Sequence, residues 1–255
     1  MSTLDFATLD CVSLDELVET ASMLTRVDRK YVLDRASAER TLAGIAPDSR
    51  VLEIAGLRTF AYQSMYFDTP ELLSYRMAAT ARRRRFKLRT RTYVDTHRSF
   101  LEVKTRGARA TTVKDRIDYE LARCDVLTDE GRDYAAGALS AIGLMRPDEL
   151  PLQPTLETRY DRTTLLLPDG AGRGTIDTAL EWEDDRGTVL RRPDLVIVET
   201  KSGSRASALD RLLWSNGHRP SRVSKYGTGL AAIRRELPSN KWHQVLRRHF
   251  PASAA

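Results

Sequence analysis

Polar and apolar positions alternate strictly through the middle of the chain. From Phe86 to Tyr93, Lys87, Arg89 and Arg91 fall on one side of an extended segment and Leu88, Thr90 and Thr92 on the other. Ser99 to Arg106 repeats the pattern, with Glu102, Lys104 and Arg106 opposite Leu101, Val103 and Thr105. Val113 to Leu121 reads as a third strand in which Lys114 and Arg116 share a side. An extended stretch, Ala61 to Phe67, precedes them and closes at Asp68-Thr69-Pro70, where Thr69 caps a short helical turn through Ser74. Later strands are expected at Leu156 to Leu167 and Arg173 to Glu181, around a Pro168-Asp169-Gly170 turn, and at Leu195 to Lys201.

Helical spacing occupies the rest. Ser13 and Glu16 form a capping box ahead of Leu14, Leu17, Val18 and Ala21. Further helices are expected over Ser37 to Ile45, Thr128 to Ile142 with Gly143 as the stop, a segment capped by Ser204 and running to Trp214, Tyr226 to Leu237, and Asn240 to His249. Strands arrive in hairpin-like pairs and not as βαβ units, and no repeat or Gly/Pro-rich linker interrupts them. The fold class is therefore α+β, one domain over residues 1–255 with roughly eight strands in antiparallel style.

Charge changes this picture. The 255 residues carry 41 Lys and Arg against 35 Asp and Glu, a net of +6. Between Arg82 and Arg116 there are 13 bases and three acids (Asp95, Glu102, Asp115), which leaves 28 bases and 32 acids elsewhere. The excess is thus local, and it calls for an anionic partner. Unit charges of one sign at ~4 Å repel by about 4 kcal/mol at an effective dielectric of ~20, so cations gathered on one side of a sheet need a counter-anion. Periodicity alone leaves two arrangements open, a solvated outer stripe or the lining of a barrel with room for one slender ligand. Aromatic residues beside the basic run are sparse (Phe86, Tyr93 and Phe100), which leans against single-stranded nucleic acid. Two distant cysteines, Cys11 and Cys124, form no metal-ligand pair or disulfide framework. There is no leader-like N-terminus and no apolar run long enough for a bilayer, so a soluble, cytoplasmic protein is expected. No Ser/His/Asp set, P-loop or dinucleotide fingerprint is present.

Nine segments in consistent order resemble a known family. They are Arg26-Val-Asp-Arg-Lys30-Tyr, Tyr66-Phe-Asp-Thr-Pro70, Lys87-Leu-Arg-Thr-Arg91-Thr-Tyr, Leu101-Glu-Val-Lys104, Lys114-Asp-Arg116, Arg159-Tyr-Asp-Arg162, Arg173-Gly-Thr-Ile-Asp177, Val198-Glu-Thr-Lys201 and Val223-Ser-Lys225-Tyr. Together they are similar to the polyphosphate polymerase domain of the vacuolar transporter chaperone family, a branch of the triphosphate tunnel metalloenzymes. The resemblance implies a closed eight-stranded antiparallel β-barrel, a tunnel with flanking helices, and so an inward-facing set of cations. It implies catalytic roles for Lys30, Arg89, Arg91, Lys104 and Lys201. Phosphates would be held by Lys114, Arg116, Tyr160, Arg162, Arg173, Arg222, Ser224 and Lys225. Glu199 would ligate Mn²⁺ or Mg²⁺, with Glu102 as a second acidic candidate. Asp177 is expected to hold an arginine, and Tyr66 and Phe67 to belong to the core.

The activity so implied is transfer of the terminal phosphate of ATP to a growing polyphosphate chain. ATP and polyphosphate or triphosphate are the expected partners, without nucleic acid; coupling to a membrane would need a separate protein. Hydrolysis of triphosphate or of a nucleoside triphosphate is the alternative within the superfamily. Its thiamine-triphosphatase and class IV cyclase branch carries Glu-x-Glu-x-Lys on the first strand, where this chain has Arg26-Val27-Asp28-Arg29-Lys30, with Asp28 as its one acid. A non-catalytic polyphosphate- or RNA-binding module is the third reading.

Overall fold

A computed structural model describes residues 4, 6–20, 27–106, 112–168 and 172–251. Ala21, Arg26, Asp169 and Gly170 lie outside them. In chain order the elements are β1 (Cys11–Val12), α1 (Leu14–Thr20), β2 (Val27–Asp34), α2 (Arg35–Leu42), β3 (Arg50–Leu52) and β4 (Phe60–Asp68). Next come α3 (Leu73–Ala79), β5 (Phe86–Tyr93), β6 (Arg98–Arg106), β7 (Thr112–Tyr119), α4 (Asp129–Ser140) and β8 (Gln153–Leu166). The chain ends with β9 (Gly172–Asp184), β10 (Val189–Arg192), β11 (Leu195–Ser202), α5 (Ala208–Ser215), α6 (Lys225–Ile233) and α7 (His243–His249).

The chain forms two compact units. The first comprises Met1–Phe60, Tyr160–Leu180 and Arg192–Val223; the second comprises Ala61–Arg159, Glu181–Arg191 and Ser224–Ala255. Strands β8 and β9 are long enough to contribute residues to both.

In the first unit, β2, β11, β9 and β8 are neighbours in that order, and β3 pairs with β8 antiparallel. The register sets Lys30 opposite Glu199, Asp28 opposite Lys201, and Lys201 opposite Arg173. Because alternate residues face opposite ways, Tyr31, Leu33, Ile176, Val196 and Val198 point to the other side. There they pack with Leu165, Leu209 and Leu213 into one apolar cluster. Helix α5 is fastened to this side by Asp210, which is fully buried. Its carboxylate accepts hydrogen bonds from Tyr31 Oη (2.7 Å), Thr200 Oγ1 (2.6 Å) and Ser207 N (2.8 Å). Ser207 and Asp210 form the capping box of α5, so the cap lies three residues beyond the expected Ser204. Similarly, α2 begins two residues earlier than expected, because Asp34 caps it by accepting from Ser37 N.

In the second unit the order is β8, β4, β5, β6 and β7. Phe67, Leu88, Leu101 and Val103 cluster on one side with Leu127, Ala135 and Leu152, the side that α4 covers. In place of the expected short turn through Ser74, α3 spans Leu73–Ala79, and Asp68 holds its start. Its buried carboxylate accepts from the backbone N–H groups of Thr69, Ser74 and Tyr75, each at 2.8 Å, and from Tyr226 Oη at 2.5 Å. Helix α6 lies close against two tryptophans: a Cβ at Gly227 would clash with Trp242, and one at Gly229 with Trp182.

Apart from the short parallel pair of β1 and β3, the sheet is antiparallel with flanking helices, as expected, but its ladder is not closed. Among the described residues β2 is hydrogen-bonded to β11 alone and β7 to β6 alone, so the eight-stranded closed barrel is not established. Eleven strands are described; β1 and β3 are shorter than the four residues alternation needs, and β10, Val-Leu-Arg-Arg, does not alternate. No helix among the described residues is long and apolar enough to cross a membrane.

Replacing Asp210 by Ala removes the α5 cap and leaves Tyr31 and Thr200 without their buried acceptor. The expected loss is about 3 kcal/mol in urea unfolding, against under about 1 kcal/mol for Ser204→Ala.

Candidate functional site

The two units each carry a cationic side built on the strands just described. In the second unit the register aligns Lys87, Lys104 and Lys114 in one row across β5, β6 and β7, and Arg89, Glu102 and Arg116 in the next. Five cations therefore share these two rows with one carboxylate. Arg89 donates to Glu102 Oε2 from both Nε (2.9 Å) and Nη2 (2.6 Å), and Lys114 Nζ lies 2.6 Å from Oε1. Arg91 Nε approaches the same carboxylate at 4.0 Å. The Glu102 side chain is 2% exposed, and those of Arg89 and Arg91 are 19% and 11% exposed. Such shielding excludes a fully solvated stripe for these two arginines. Burial pushes the Glu102 carboxyl up, yet Arg89, Arg91 and Lys114 together hold it well below the usual carboxylate range. Burial lowers the Lys114 ammonium, against the raising influence of Glu102.

Tyr66 joins this group. It pairs with Arg89 across β4 and β5, and its hydroxyl accepts from Arg89 Nη1 at 2.9 Å. Its ring stacks on Tyr226 at 5.0 Å, and Tyr226 is held by Asp68. Tyr66 is thus buried but belongs to the site and not merely to the core. The parity of Tyr62, Ser64 and Tyr66 could have shown this in the sequence, had the pairing partner of β4 been known. Ser224 caps α6, accepting from Gly227 N at 3.1 Å, and also accepts from Lys87 Nζ at 2.8 Å. Lys225 begins that helix, and its carbonyl accepts from Trp182 Nε1 at 2.9 Å.

In the first unit Glu199 is the central acid. Lys30 Nζ lies 2.6 Å from its Oε2, and Lys201 donates a hydrogen bond to its Oε1. Lys201 also donates to Asp28 Oδ2 at 3.0 Å. Burial raises the Glu199 carboxyl, but Lys30, Lys201 and Arg162 hold it well below the usual range, so it is ionised at neutral pH. Arg162 forms a two-pronged pair with Asp177 at 2.6 and 2.8 Å and sits over the Tyr160 ring at 5.2 Å. Asp177 therefore holds an arginine, as expected. Arg173 lies opposite Lys201 on β9, and Arg222 is exposed in the segment before α6.

The expected site residues thus form two sets. Lys30, Lys201, Glu199, Tyr160, Arg162 and Arg173 belong to the first unit, and Arg89, Arg91, Lys104, Lys114, Arg116, Glu102, Ser224 and Lys225 to the second. None of the four histidines lies on a strand bearing either set. Among the described residues no three His, Cys, Asp or Glu side chains converge as a metal cage. A hard divalent cation bound beside phosphates needs only one or two protein carboxylates. Glu199, with Asp28 one lysine away, supplies that number of carboxylates; its two oxygens are held by Lys30 and Lys201, as those of Glu102 are by Arg89 and Lys114, and Glu102 has no second carboxylate paired to its lysine.

A family model described as the VTC domain matches residues 25–234. Among solved structures, the chain is similar to a putative adenylyl cyclase from Hippeastrum, described as having a dominant triphosphatase activity. The two share 17% identity over 85% of this chain and 100% of that one, with a TM-score of 0.47. A Pyrococcus horikoshii OT3 protein shares 13% identity over 80% of this chain and 98% of its own, with a TM-score of 0.42. A putative adenylate cyclase from Vibrio parahaemolyticus shares 14% over 83% and 87%, with a TM-score of 0.37. No curated protein matches.

Glu102→Gln is expected to lower stability by about 2 kcal/mol, because it leaves Arg89 and Lys114 facing each other without a counter-charge. Added tripolyphosphate should raise the melting temperature of the variant more than that of the parent. The pH dependence has a defined sign. The Glu102 carboxyl titrates lower in the folded chain than in the unfolded one, so its contribution is full above the unfolded range and is lost as pH falls through the folded value. Unfolding measured below about pH 4.5 should thus show a shallower acid slope in Glu102→Gln.

Proposed function

The chain belongs to the VTC domain family, within the triphosphate tunnel metalloenzymes, and from that premise we propose that it is a metal-dependent phosphotransferase moving the terminal phosphate of ATP onto a polyphosphate chain. The observation that supports this reading most is the row of Lys87, Lys104 and Lys114 beside the row of Arg89, Glu102 and Arg116. Such rows match the spaced negative charges of a phosphate chain. Arginine forks hold phosphate oxygens in fixed directions, while lysines supply compact charge.

In this mechanism Arg89, Arg91 and Lys104 bind and orient the phosphates, and Lys114 and Arg116 hold the neighbouring oxygens. Lys30 and Lys201 neutralise charge in the first unit, where Arg162 and Arg173 add to the anion-binding surface. Tyr160 backs Arg162. Ser224, at the start of α6, offers a hydroxyl to an oxygen that Lys87 approaches, flanked in the chain by Arg222 and Lys225. Glu199 would hold Mn²⁺ or Mg²⁺, with Asp28 near; when bound, the ion supplies charge neutralisation between phosphates. Glu102 acts as the counter-charge that keeps Arg89 and Lys114 in place. The attacking terminal phosphate is already ionised, so no general base is required, which suits strands that carry no histidine. What remains for the protein is positioning and electrostatic stabilisation of the transferred group.

One observation favours a second reading, hydrolysis of a triphosphate. Asp28 and Glu199 both contact Lys201, which gathers two carboxylates around one lysine.

Incubation with ATP and Mn²⁺ separates the two readings. Chains resolved on a gel, with ADP released, support transfer; inorganic phosphate without chains supports hydrolysis. Arg91→Ala and Lys201→Ala should each reduce chain synthesis at least about a hundredfold while leaving the unfolding transition cooperative.

A further inference from the structure

The cationic side of the second unit is not uniform along its strands. Its lysine row is followed by the arginine–glutamate row, and beyond that the side chains become aromatic. Arg91 is opposite Phe100, Tyr93 is opposite Arg98, and Tyr62 is opposite Tyr93 on β4. The rings touch. Tyr62 and Tyr93 have centroids 4.9 Å apart, and Tyr93 meets Phe100 edge-on at 5.8 Å. Guanidinium groups lie over them: Arg91 is 5.7 Å from the Tyr62 centroid, and Phe100 has Arg116 at 4.3 Å and Arg98 at 5.0 Å. Phe86, which composition placed with this group, faces the other way and is buried in the core.

Aromatic faces are electron-rich and do not attract phosphate. Rings interleaved with guanidinium planes instead suit a flat heteroaromatic group, which can stack on either. Tyr62 and Tyr93 are each half-buried, so part of each ring remains accessible. The distance is also suitable. Arg89 and Tyr93 are four residues apart on one strand, about 13 Å, which is comparable to the reach of an extended nucleoside triphosphate from its terminal phosphate to its base.

We propose that Tyr62 and Tyr93, backed by the buried Phe100 and flanked by Arg98, form a nucleobase-stacking subsite that orients a nucleoside triphosphate with its phosphates toward the Arg89 and Lys104 rows. This rests on the reading that the cationic side takes such a substrate. The subsite separates a nucleotide donor from inorganic polyphosphate, which has nothing to stack.

Equilibrium binding of ATP and of inorganic tripolyphosphate, measured by calorimetry at one salt concentration without divalent metal, tests it. Tyr93→Leu should weaken ATP about tenfold and leave tripolyphosphate unchanged, a loss within the range of base–aromatic stacking. Tyr93→Phe should retain ATP affinity. In the unmodified protein, saturation-transfer NMR should label the purine H2 and H8 protons more strongly than those of the ribose, a readout independent of any variant's folding. Parallel changes for both ligands, no change for either, or ribose labelling at or above that of the base would overturn the subsite. A protein that binds ATP in this way yet makes no polyphosphate would remove the polymerase reading and leave the subsite standing.

Discussion

The attraction of a single carboxylate for several surrounding cations is the interaction on which each unit's candidate site depends. Glu102 is nearly inaccessible to solvent and stays ionised because Arg89, Arg91 and Lys114 converge on it. Glu199, partly exposed, likewise stays ionised between Lys30 and Lys201. Neither side could assemble as cations alone, since neighbouring like charges in a partly shielded place repel by several kcal/mol. One acid per group reduces this repulsion without cancelling it. The remaining positive charge is what an anionic chain would meet.

That balance needs strands whose two sides do different work. In β5 every second residue is buried against the α4 side while the intervening ones carry the charge. β2 and β11 repeat the arrangement over the cluster containing Leu209 and Leu213. The apolar sides are then locked by buried acids of another kind. Asp210 gathers Tyr31, Thr200 and the start of α5, and Asp68 gathers the start of α3 and Tyr226. These carboxylates satisfy backbone and hydroxyl donors that would otherwise be buried without partners. Through the Tyr226–Tyr66 stack, Asp68 also reaches the residue that holds Arg89.

Much of the fold is legible in one dimension because a period of two is a local property. The bounds of β5 follow directly from its alternation, and the sides assigned to β6 and β7 agree with their register. Caps were less readable. Ser204 and Ser207 both precede an apolar run; Asp210, three residues after Ser207, gives the capping-box spacing that Ser204 lacks, and the reciprocal bond follows from it. Tyr66 and Phe67 both read as core; the membership of Tyr66 in the site depends on pairing with Arg89, 23 positions away.

Order, parity and charge were therefore determined by the sequence itself: which residues are cationic, which of them share a side, and which family's motifs they resemble. Tertiary structure decided the partners. It placed Glu102 among three cations, set Arg162 on Asp177, gathered Tyr62, Tyr93 and Phe100 into one aromatic group, and left the described ladder open where the resemblance implied closure. The physical reason is that alternation is imposed by the backbone within a few residues, whereas register and ion pairing are set by contacts between strands far apart in the chain.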